Sequence, residues 1–346
     1  MKRILTAIWV SLFASFPLYA QPSIGLPALS EQPDYAEYWE QQFYFETGAL
    51  LTSQFLIANL PLSKHHGLMV ASLKIPGEPP VIIKNGRKRD GWFYAREDPE
   101  LSIFQHRLKG TFPGFLTQLN NTAAEVDVLF NAKHAAIDII APGNDLGLPA
   151  VTLYATGARA FGRWRAGPEI GGAGENGSWQ ALGHGEGFGL HVIQDKPLGS
   201  VLRRWVRLTP LQADTDYELM FHRFETPSGK SLNKFYLLQK FKEPVLLDVS
   251  GVKFEEDNSM RCLSSARMTG TITISNEIET FLVADQLNGI ERLVAGSLAN
   301  ISRYRSLVSY DFDVVLNSKS QSVSGTAILE EILVDAEKKS RRNRRR

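Results

Sequence analysis

Apolar and polar residues alternate with a period of two along much of this chain. In residues 126–130 the even positions are Val, Val and Phe. In residues 268–274 the odd positions are all Thr, and the even positions are Met, Gly, Ile and Ile. Alternation of this kind puts apolar side chains on one face of a strand and the other side chains on the opposite face. The pattern therefore predicts half-buried β-strands in both halves of the chain.

Short segments of this type recur throughout the chain, with turn signals between them, and long helical periodicity is nearly absent. Residues 35–42 are the one segment for which we expect a short helix. Roughly sixteen strands in two runs fit two barrels of about eight strands each, a size that can enclose one small ligand. The predicted fold class is all-β, with two tandem barrels.

Turn chemistry marks the predicted boundary between the two barrels. Thr209-Pro210 and Asp214-Thr215-Asp216 follow one another near the middle of the chain, and proline and aspartate favour turns. We therefore expect an N-terminal barrel over residues 35–210 and a C-terminal barrel over residues 211–336.

Residues 1–20 have the pattern of a secretory signal peptide. Lys2 and Arg3 precede an apolar run over residues 4–16, and Ala20 supplies a small residue for cleavage. Residues 21–34 begin with a stretch rich in Pro and Ser and form a leader into the fold. We expect an exported protein, either periplasmic or secreted.

Charge is distributed unevenly along the chain. The net charge is +1, but residues 338–346 alone hold seven basic side chains and no acidic one. Without this end and the two cations of the signal peptide, residues 21–337 carry −8. A basic tail over residues 337–346 predicts a disordered arm, which either contacts an anionic membrane surface or only keeps the chain in solution. Nucleic acid binding is not expected, because stacking aromatic residues and a wider basic face are missing.

Glycines are concentrated in one segment. Eleven of the 28 glycines lie between residues 157 and 189, and His184 and Glu186 stand among them. Glycine allows close backbone approach and unusual dihedral angles. A ligand-binding mouth uses this freedom, and so does a strand that bends inside a barrel. The segment is the strongest candidate for a site, and the alternative is a mobile surface loop followed by a kinked strand.

Two short motifs resemble a known group of proteins. Residues 40–48, with Phe43-Tyr44-Phe45-Glu46, are similar to the aromatic opening strand of the tandem lipocalin-like superfamily. This superfamily includes AttH-like proteins, carotenoid hydratases and survival-factor-like proteins. Residues 183–191, followed by Arg204-Trp205, resemble the Gly-x-Gly-aromatic-x-Asp-His segment of the same group. Leu190 stands where that segment usually has Asp.

The resemblance implies two lipocalin-like barrels packed together and an apolar cavity for a lipid, an isoprenoid or a polyketide-like molecule. Members of the superfamily include acid-catalysed hydratases and cyclases as well as binding proteins. The apolar side chain of Leu190 cannot donate a proton. This departure therefore counts against an acid mechanism taken over from the enzymes.

Protonation of an isolated double bond needs a carboxyl group that stays protonated near neutral pH, which burial in an apolar pocket achieves. The acids near aromatic segments are Glu46, Glu186, Asp90 and Asp195. The favoured catalytic candidates are Glu186, His191 and Glu46. For each acid the alternative is a solvated or salt-bridged carboxylate.

Ligand binding makes fewer demands on the residues than catalysis does. It needs apolar and aromatic side chains around a cavity, with a few polar groups that orient the ligand. Tryptophans are candidates for the lining or the rim, and core packing is the alternative for each of them. The candidate ligand-binding residues are Tyr44, Trp92, Trp164, Trp179, His184, Phe188, Arg204 and Trp205.

We expect no cofactor and no metal. His184, Glu186 and His191 lack the spacing of a zinc motif, and His191 lies on the opposite face of an extended strand from the other two. Phosphate-loop, dinucleotide-binding and nucleophile-elbow motifs are missing from the sequence. Cys262 is the only cysteine in the sequence, so an intramolecular disulfide cannot form.

Three functions follow from these patterns. The first is an exported lipocalin-like protein that binds or carries a hydrophobic ligand, a lipid or an isoprenoid. The second is an acid-catalysed hydratase or cyclase of an isoprenoid-like substrate. The third is an interaction module at the cell envelope that acts through the basic tail.

Overall fold

The computed structural model describes residues 24–60, 63–87, 91–171, 177–239, 242–247, 249, 251–257, 259–282 and 301–334. The predicted signal peptide, the candidate acid Asp90 and the predicted basic tail lie outside these residues. In the described part of the chain no helix is long and apolar enough to cross a membrane.

The first half of the chain forms one curled antiparallel sheet of 12 strands, which we name the first barrel. Its strands follow the order β4-β3-β2-β1-β12-β11-β9-β8-β7-β6-β5, and β10 pairs with β11. The strands are β1 (Ala36–Phe45), β2 (Leu50–Leu60), β3 (Ser63–Lys74), β4 (Val81–Arg87), β5 (Trp92–Ala95), β6 (Glu100–Ile103), β7 (His106–Thr111), β8 (Gly114–Asn120), β9 (Ala124–Asn131), β10 (Ile137–Ile140), β11 (Ala150–Ala166) and β12 (Gln180–Gln194).

The second half forms a curled antiparallel sheet of nine strands, the second barrel, in the order β16-β15-β14-β13-β21-β20-β19-β18-β17. Its strands are β13 (Arg204–Ala213), β14 (Tyr217–Glu225), β15 (Ser231–Gln239), β16 (Val245–Leu247), β17 (Lys253–Glu256), β18 (Met260–Ser264), β19 (Met268–Leu282), β20 (Ile301–Leu316) and β21 (Lys319–Val334). Two four-residue helices, α1 (Pro168–Gly171) and α2 (Leu198–Val201), complete the described elements.

The prediction of an all-β fold with two tandem lipocalin-like barrels is confirmed. The described residues form 21 strands rather than roughly sixteen. The difference arises because several strands, such as β5, β6 and β16, have only three or four residues. Strands this short hold too few positions to show a clear alternation in the sequence.

The prediction of a short helix over residues 35–42 is wrong. These residues lie in β1, which pairs with β2 on one side and β12 on the other. Trp39 and Phe43 point into the core of the first barrel, whereas Tyr38 and Glu40 face the second barrel. Because both faces of the strand are buried, its polar and apolar residues do not alternate, and the period of two is lost.

The division between the two sheets comes earlier than the predicted boundary between residues 210 and 211. That boundary falls inside β13, which pairs with β14 and β21 of the second barrel. Pro210 sits where the pairing of β13 with β21 shifts register, beyond the last pair between β13 and β14. A bulge of this kind accommodates proline within a strand, so Pro210 marks no turn here.

Apolar clusters fill each barrel and also the space between them. One cluster lies inside the first barrel around Trp39 and Phe130, and another lies inside the second barrel around Phe221 and Phe312. A third joins β12 of the first barrel to β13 and β21 of the second. The apolar contact between the two sheets holds them against each other.

A buried network of charges also joins the two barrels. The Glu40 carboxylate, on β1, accepts hydrogen bonds from Arg207 of β13 and Arg303 of β20. Burial by itself raises the pKa of Glu40, but the charges of these two guanidinium groups outweigh it and hold the pKa well below its usual range. The network continues through Glu330, Arg305 and Glu279.

Candidate functional site

A cleft of about 800 Å³ lies between the two barrels. Its apolar wall consists of side chains from both sheets, and its polar wall is formed mainly by charged residues. The apolar members are Tyr44, Phe45, Ala160, Leu211, Ala213, Leu238 and Leu307, and the charged or titratable members are Glu46, Lys133, Arg159, His184, Glu186, Asp216 and Glu218. A cavity of this size and mixed lining suits a small amphipathic molecule.

Lys133 is the centre of the polar wall. Its Nζ atom lies 2.6 Å from Oε2 of Glu186 and 3.4 Å from Oε1 of Glu218. Arg159 approaches Glu186 from the exposed side, with Nε 3.8 Å from Oε1. Glu186 and Lys133 belong to the first barrel and Glu218 to the second, so the cluster spans the cleft.

Opposing influences set the pKa of Glu186. Burial raises the pKa of its carboxyl group above the ordinary value, and the negative charge of Glu218 raises it further. The hydrogen bond and the positive charge of Lys133 oppose this shift. The balance favours the protonated form more than for a glutamate in water.

A bulge in β11 brings the backbone of the first barrel up to this cluster. The pairing of β11 with β12 shifts register between Ala155 and Ala158. Gly157, within this bulge, has a φ of 55°, and the Thr156 carbonyl accepts a hydrogen bond of 3.1 Å from the Lys133 backbone N–H. Glycine tolerates this left-handed conformation, and the contact fixes Lys133 at the edge of the cleft.

The glycine-rich segment is a strand, and its glycines make room for aromatic rings. A Cβ atom on Gly187 would lie 2.7 Å from the Phe43 ring, and one on Gly189 would lie 2.4 Å from the Tyr154 ring. Both distances are too short for a real contact. Residues 183–189 therefore belong to β12, in place of the surface loop that was the alternative for them, and Gly187 and Gly189 pack against aromatic rings.

Solved structures share the fold of this chain. A crystal structure of an AttH-type protein from Nitrosomonas europaea superposes with a TM-score of 0.58 at 11% identity, over 94% of this chain and 98% of that one. CghA superposes with a TM-score of 0.54 at 10% identity, over 88% of this chain and 89% of that one. This chain has the tandem lipocalin-like fold of these two structures. Neither a family model nor a curated protein sequence matches it.

The tandem lipocalin-like fold brings four of the predicted site residues to the cleft. Tyr44, Glu46, His184 and Glu186 all line it. Glu46 is exposed at the rim, and its backbone N–H donates to the His184 carbonyl at 2.8 Å. Tyr44 of β1 pairs with Glu186 of β12, His184 also lies on β12, and Glu46 directly follows β1, which explains how two distant motifs meet.

His191, the third catalytic candidate, lies apart from Glu186 and Glu46. It points into the first barrel from the opposite face of β12, where its ring stacks on Trp39 with centroids 4.6 Å apart. Its Nε2 atom lies 2.6 Å from Oε1 of the buried Glu37. The three catalytic candidates therefore do not form one constellation.

Phe188 and Trp205 lie in the apolar cluster between the barrels, away from the cleft. Trp205 stacks on Phe224, and its Nε1–H donates to Nδ1 of His222 at 3.2 Å. Burial, with a smaller effect from the charge of Arg207, lowers the pKa of His222 to about 3. This histidine is therefore neutral at ordinary pH and serves as a hydrogen-bond acceptor for Trp205.

Four other predicted residues lie elsewhere on the tandem lipocalin-like fold. Arg204 is bound to Glu256 and Glu331, with its guanidinium nitrogens 2.5 and 2.6 Å from their oxygens. Trp164 is buried in the core of the first barrel, and Trp92 donates from Nε1 to the His65 carbonyl at 2.7 Å. Trp179 is partly exposed, with the Arg163 guanidinium carbon 4.3 Å from its ring centroid. The candidate acid Asp195 is exposed and is not among the residues that line the cleft.

Sequence reasoning missed Lys133, Arg159 and Glu218. Lys133 lies two residues after the end of β9, and Glu218 lies at the start of β14. No local pattern distinguishes these residues from ordinary surface charges. The only available signal was a polar residue at each end of a strand, which is too common to be useful.

The described residues contain no group of three or more His, Cys, Asp or Glu side chains placed to hold a metal ion. His184 and Glu186 share the cleft, but His191 is turned into the barrel.

Proposed function

We propose that this protein binds or carries a hydrophobic ligand, such as a lipid or an isoprenoid, in the cleft between its two barrels. The observation that carries the proposal is the 800 Å³ cleft, whose lining combines apolar side chains from both barrels with the charged cluster around Lys133. We further propose that the protein is exported, on the basis of the signal-peptide pattern in residues 1–20.

The lining of the cleft offers a ligand two kinds of contact. Tyr44, Leu211 and Leu307 offer apolar surface for a hydrocarbon body, whose burial contributes about 25 cal/mol per Å² removed from water. Lys133 and Glu186 offer a donor and an acceptor for a polar end. An amphipathic ligand makes both kinds of contact at once.

A protein of the same fold supports a ligand-binding role. CghA has been crystallised with Sch210972. The likeness to CghA, at 10% identity, concerns the fold. The chemistry of the ligand of the present protein therefore has to be inferred from the residues that line its own cleft.

Native mass spectrometry of the protein from its own envelope or secreted fraction, followed by organic extraction, tests the proposal. We expect a stoichiometric apolar molecule. The matched variants are Ala213→Trp, which fills the cleft, and Ala181→Trp, at an exposed position of β12 that does not line it. Loss of the ligand in Ala213→Trp alone supports the proposal, and retention in both variants, or an empty wild-type protein that takes up no apolar probe, contradicts it.

The second candidate function is an acid-catalysed hydratase or cyclase, favoured by the raised pKa of Glu186. In a hydration, the Glu186 carboxyl donates its proton to an alkene carbon. Water then bonds to the resulting cation and releases a proton that restores the carboxyl group. We expect Glu186→Gln to abolish conversion of the extracted ligand and to leave its binding intact. An extracted molecule that the wild-type protein returns unchanged favours the carrier.

A further inference from the structure

Residues 24–32 cross one end of the first barrel and are anchored inside it. Ile24 is fully buried among the side chains of the barrel core. Leu29 has a φ of 51°, a left-handed conformation that is uncommon for a residue with a side chain. A backbone of this kind persists where the surroundings hold it. We name residues 24–32 the N-terminal segment.

Buried side chains of the barrel bind the backbone of the N-terminal segment. Trp39 donates from Nε1 to the Ile24 carbonyl, and Glu37 accepts the Ala28 N–H at 2.8 Å through Oε2. The Tyr35 hydroxyl accepts the Leu29 N–H at 3.1 Å. Further along, the Asn59 side-chain amide donates to the carbonyls of Ser30 and Gln32, each at 2.8 Å.

The groups that receive the segment are withdrawn from solvent. Glu37 and Trp39 are fully buried, and Tyr35 is nearly so. Buried donors and acceptors need partners, and the segment's carbonyl and N–H groups supply some of them. This end of the barrel is therefore complementary to a chain segment that carries amide groups and apolar side chains.

Gly25 shows how closely the segment fits. It has a φ of 85°, and a Cβ atom at this position would lie 2.8 Å from Nδ1 of His191. The imidazole ring of His191 is thus held between Gly25 and the stacked ring of Trp39. No residue other than glycine combines this conformation with this contact.

We propose that this end of the first barrel is a second ligand site, separate from the cleft, and that the N-terminal segment occupies it as a displaceable plug. The ligand that replaces the segment is an apolar molecule with an amide group. Its carbonyl takes the place of Ile24 at Trp39, and its N–H takes the place of Ala28 at Glu37. Access to this site is controlled by the chain itself.

The test compares three proteins: wild type, Gly25→Val and Gly77→Val. Valine at either glycine has a strained backbone, because Gly77 has a φ of 79°, but at Gly77 no atom lies within 4 Å of the added Cβ. Only Gly25→Val pushes against His191. Each protein is titrated with a dansyl-labelled octanamide and with the matching octanoate ester, which lacks the N–H.

We expect Gly25→Val to bind one more equivalent of the amide than wild type or Gly77→Val, and to bind the ester at least tenfold more weakly at this added site. A synthetic peptide of residues 21–32 should compete for the added equivalent. A double variant that combines Gly25→Val with the cleft variant Ala213→Trp should still bind the added equivalent of amide. Equal numbers of bound amide in all three proteins, or an added equivalent that the peptide does not displace, would overturn the proposal.

A second variant covers the case in which Gly25→Val does not fold. Ile24→Ser weakens the anchor of the segment and leaves every side chain of the β-strands unchanged. In this variant, limited proteolysis should cleave the N-terminal segment, which is no longer held in the barrel. The variant should also bind one more equivalent of the amide than wild type. If Ile24→Ser releases the segment and binds no additional amide, the segment is only a structural stopper and the second site is refuted.

Discussion

Lys133 of the first barrel forms an ion pair with Glu218 of the second, with Nζ and Oε1 3.4 Å apart, and the same ammonium group holds Glu186 at 2.6 Å. One cation thus serves two carboxylates at the place where the barrels meet. The three side chains are half-buried or nearly buried, so their charges interact more strongly than they would in water. Because Lys133 contacts both carboxylates, the placement of the two barrels affects the protonation of Glu186.

The raised pKa of Glu186 should be visible in the pH dependence of the free energy of unfolding. Its pKa in the native protein lies above the ordinary value of 4.5. As the pH rises from about 4.5, the unfolded chain therefore loses this proton first, and the contribution of Glu186 to stability falls until the native pKa is passed. We expect urea denaturation of wild type, compared with Glu186→Gln, to show this loss. If the stability curves of Glu186→Gln and wild type ran parallel over this pH range, the assignment would be contradicted.

His222 should make the protein sensitive to acid. Its native pKa is about 3, against an ordinary value of 6.5. Between these values the unfolded chain binds a proton that the native protein does not, so the stability present above pH 6.5 is lost as the pH falls. The slope for this one group approaches roughly 1.4 kcal/mol per pH unit. Thermal or urea unfolding from pH 7 to 4 should be flatter for His222→Gln, and equal slopes would rule out this role.

Removal of Glu40 should destabilise the protein strongly. The carboxylate is fully buried and binds Arg207 and Arg303 from the second barrel. Glu40→Ala leaves these guanidinium groups with one fewer buried counter-charge, and we expect the free energy of unfolding to fall by about 3–5 kcal/mol. Asp127→Ala, which breaks the exposed pair with Arg163, is the control and should cost about 1 kcal/mol or less. Similar losses in both variants would refute the structural role of the network.

Gly187→Ala should not be tolerated. The added Cβ atom would lie 1.8 Å from the backbone oxygen of Gln42 and 2.7 Å from the Phe43 ring. Because backbone atoms cannot move aside as a flexible side chain does, we expect a loss of about 3 kcal/mol or more in the free energy of unfolding. Gly77→Ala has open space around it and should cost only about 1 kcal/mol from its backbone conformation. A Gly187→Ala protein of wild-type stability would show that β1 and β12 are not packed as described.

The basic tail gives a prediction that rests on the sequence. Residues 338–346 carry seven basic side chains, and each can contribute about 1 kcal/mol at an anionic membrane surface. We expect sedimentation with phosphatidylglycerol vesicles to fall sharply when these residues are deleted, while binding of an apolar probe to the remaining chain is unchanged. Vesicles of neutral phosphatidylcholine are the control. Equal sedimentation with and without the tail would exclude the membrane contact.

Much of the fold could be predicted because the signals for it are local. Alternation in residues 126–130 and 268–274 predicted strands that the structure has as parts of β9 and β19. The motifs around Tyr44 and Glu186 predicted site residues that line one cleft. In each case the neighbours along the chain carry the information, since a strand exposes successive side chains to opposite faces.

The tertiary structure decided what depends on packing between distant segments. Residues 36–45 form a strand with both faces buried, because the second barrel covers its outer face. No pattern within those ten residues predicts that the outer face is covered. Lys133 lies 53 residues from Glu186 and 85 from Glu218. Their meeting depends on how two sheets are placed against each other.

The same reason separates the catalytic candidates. His191 and Glu186 are close in sequence, yet the odd spacing between them on one strand sends one side chain into the first barrel and the other into the cleft. The sequence determined the strands, their faces and the glycines that let aromatic rings approach. Only the contact between the barrels determined which charges share the cleft, because long-range burial and ion pairing are properties of the assembled sheets.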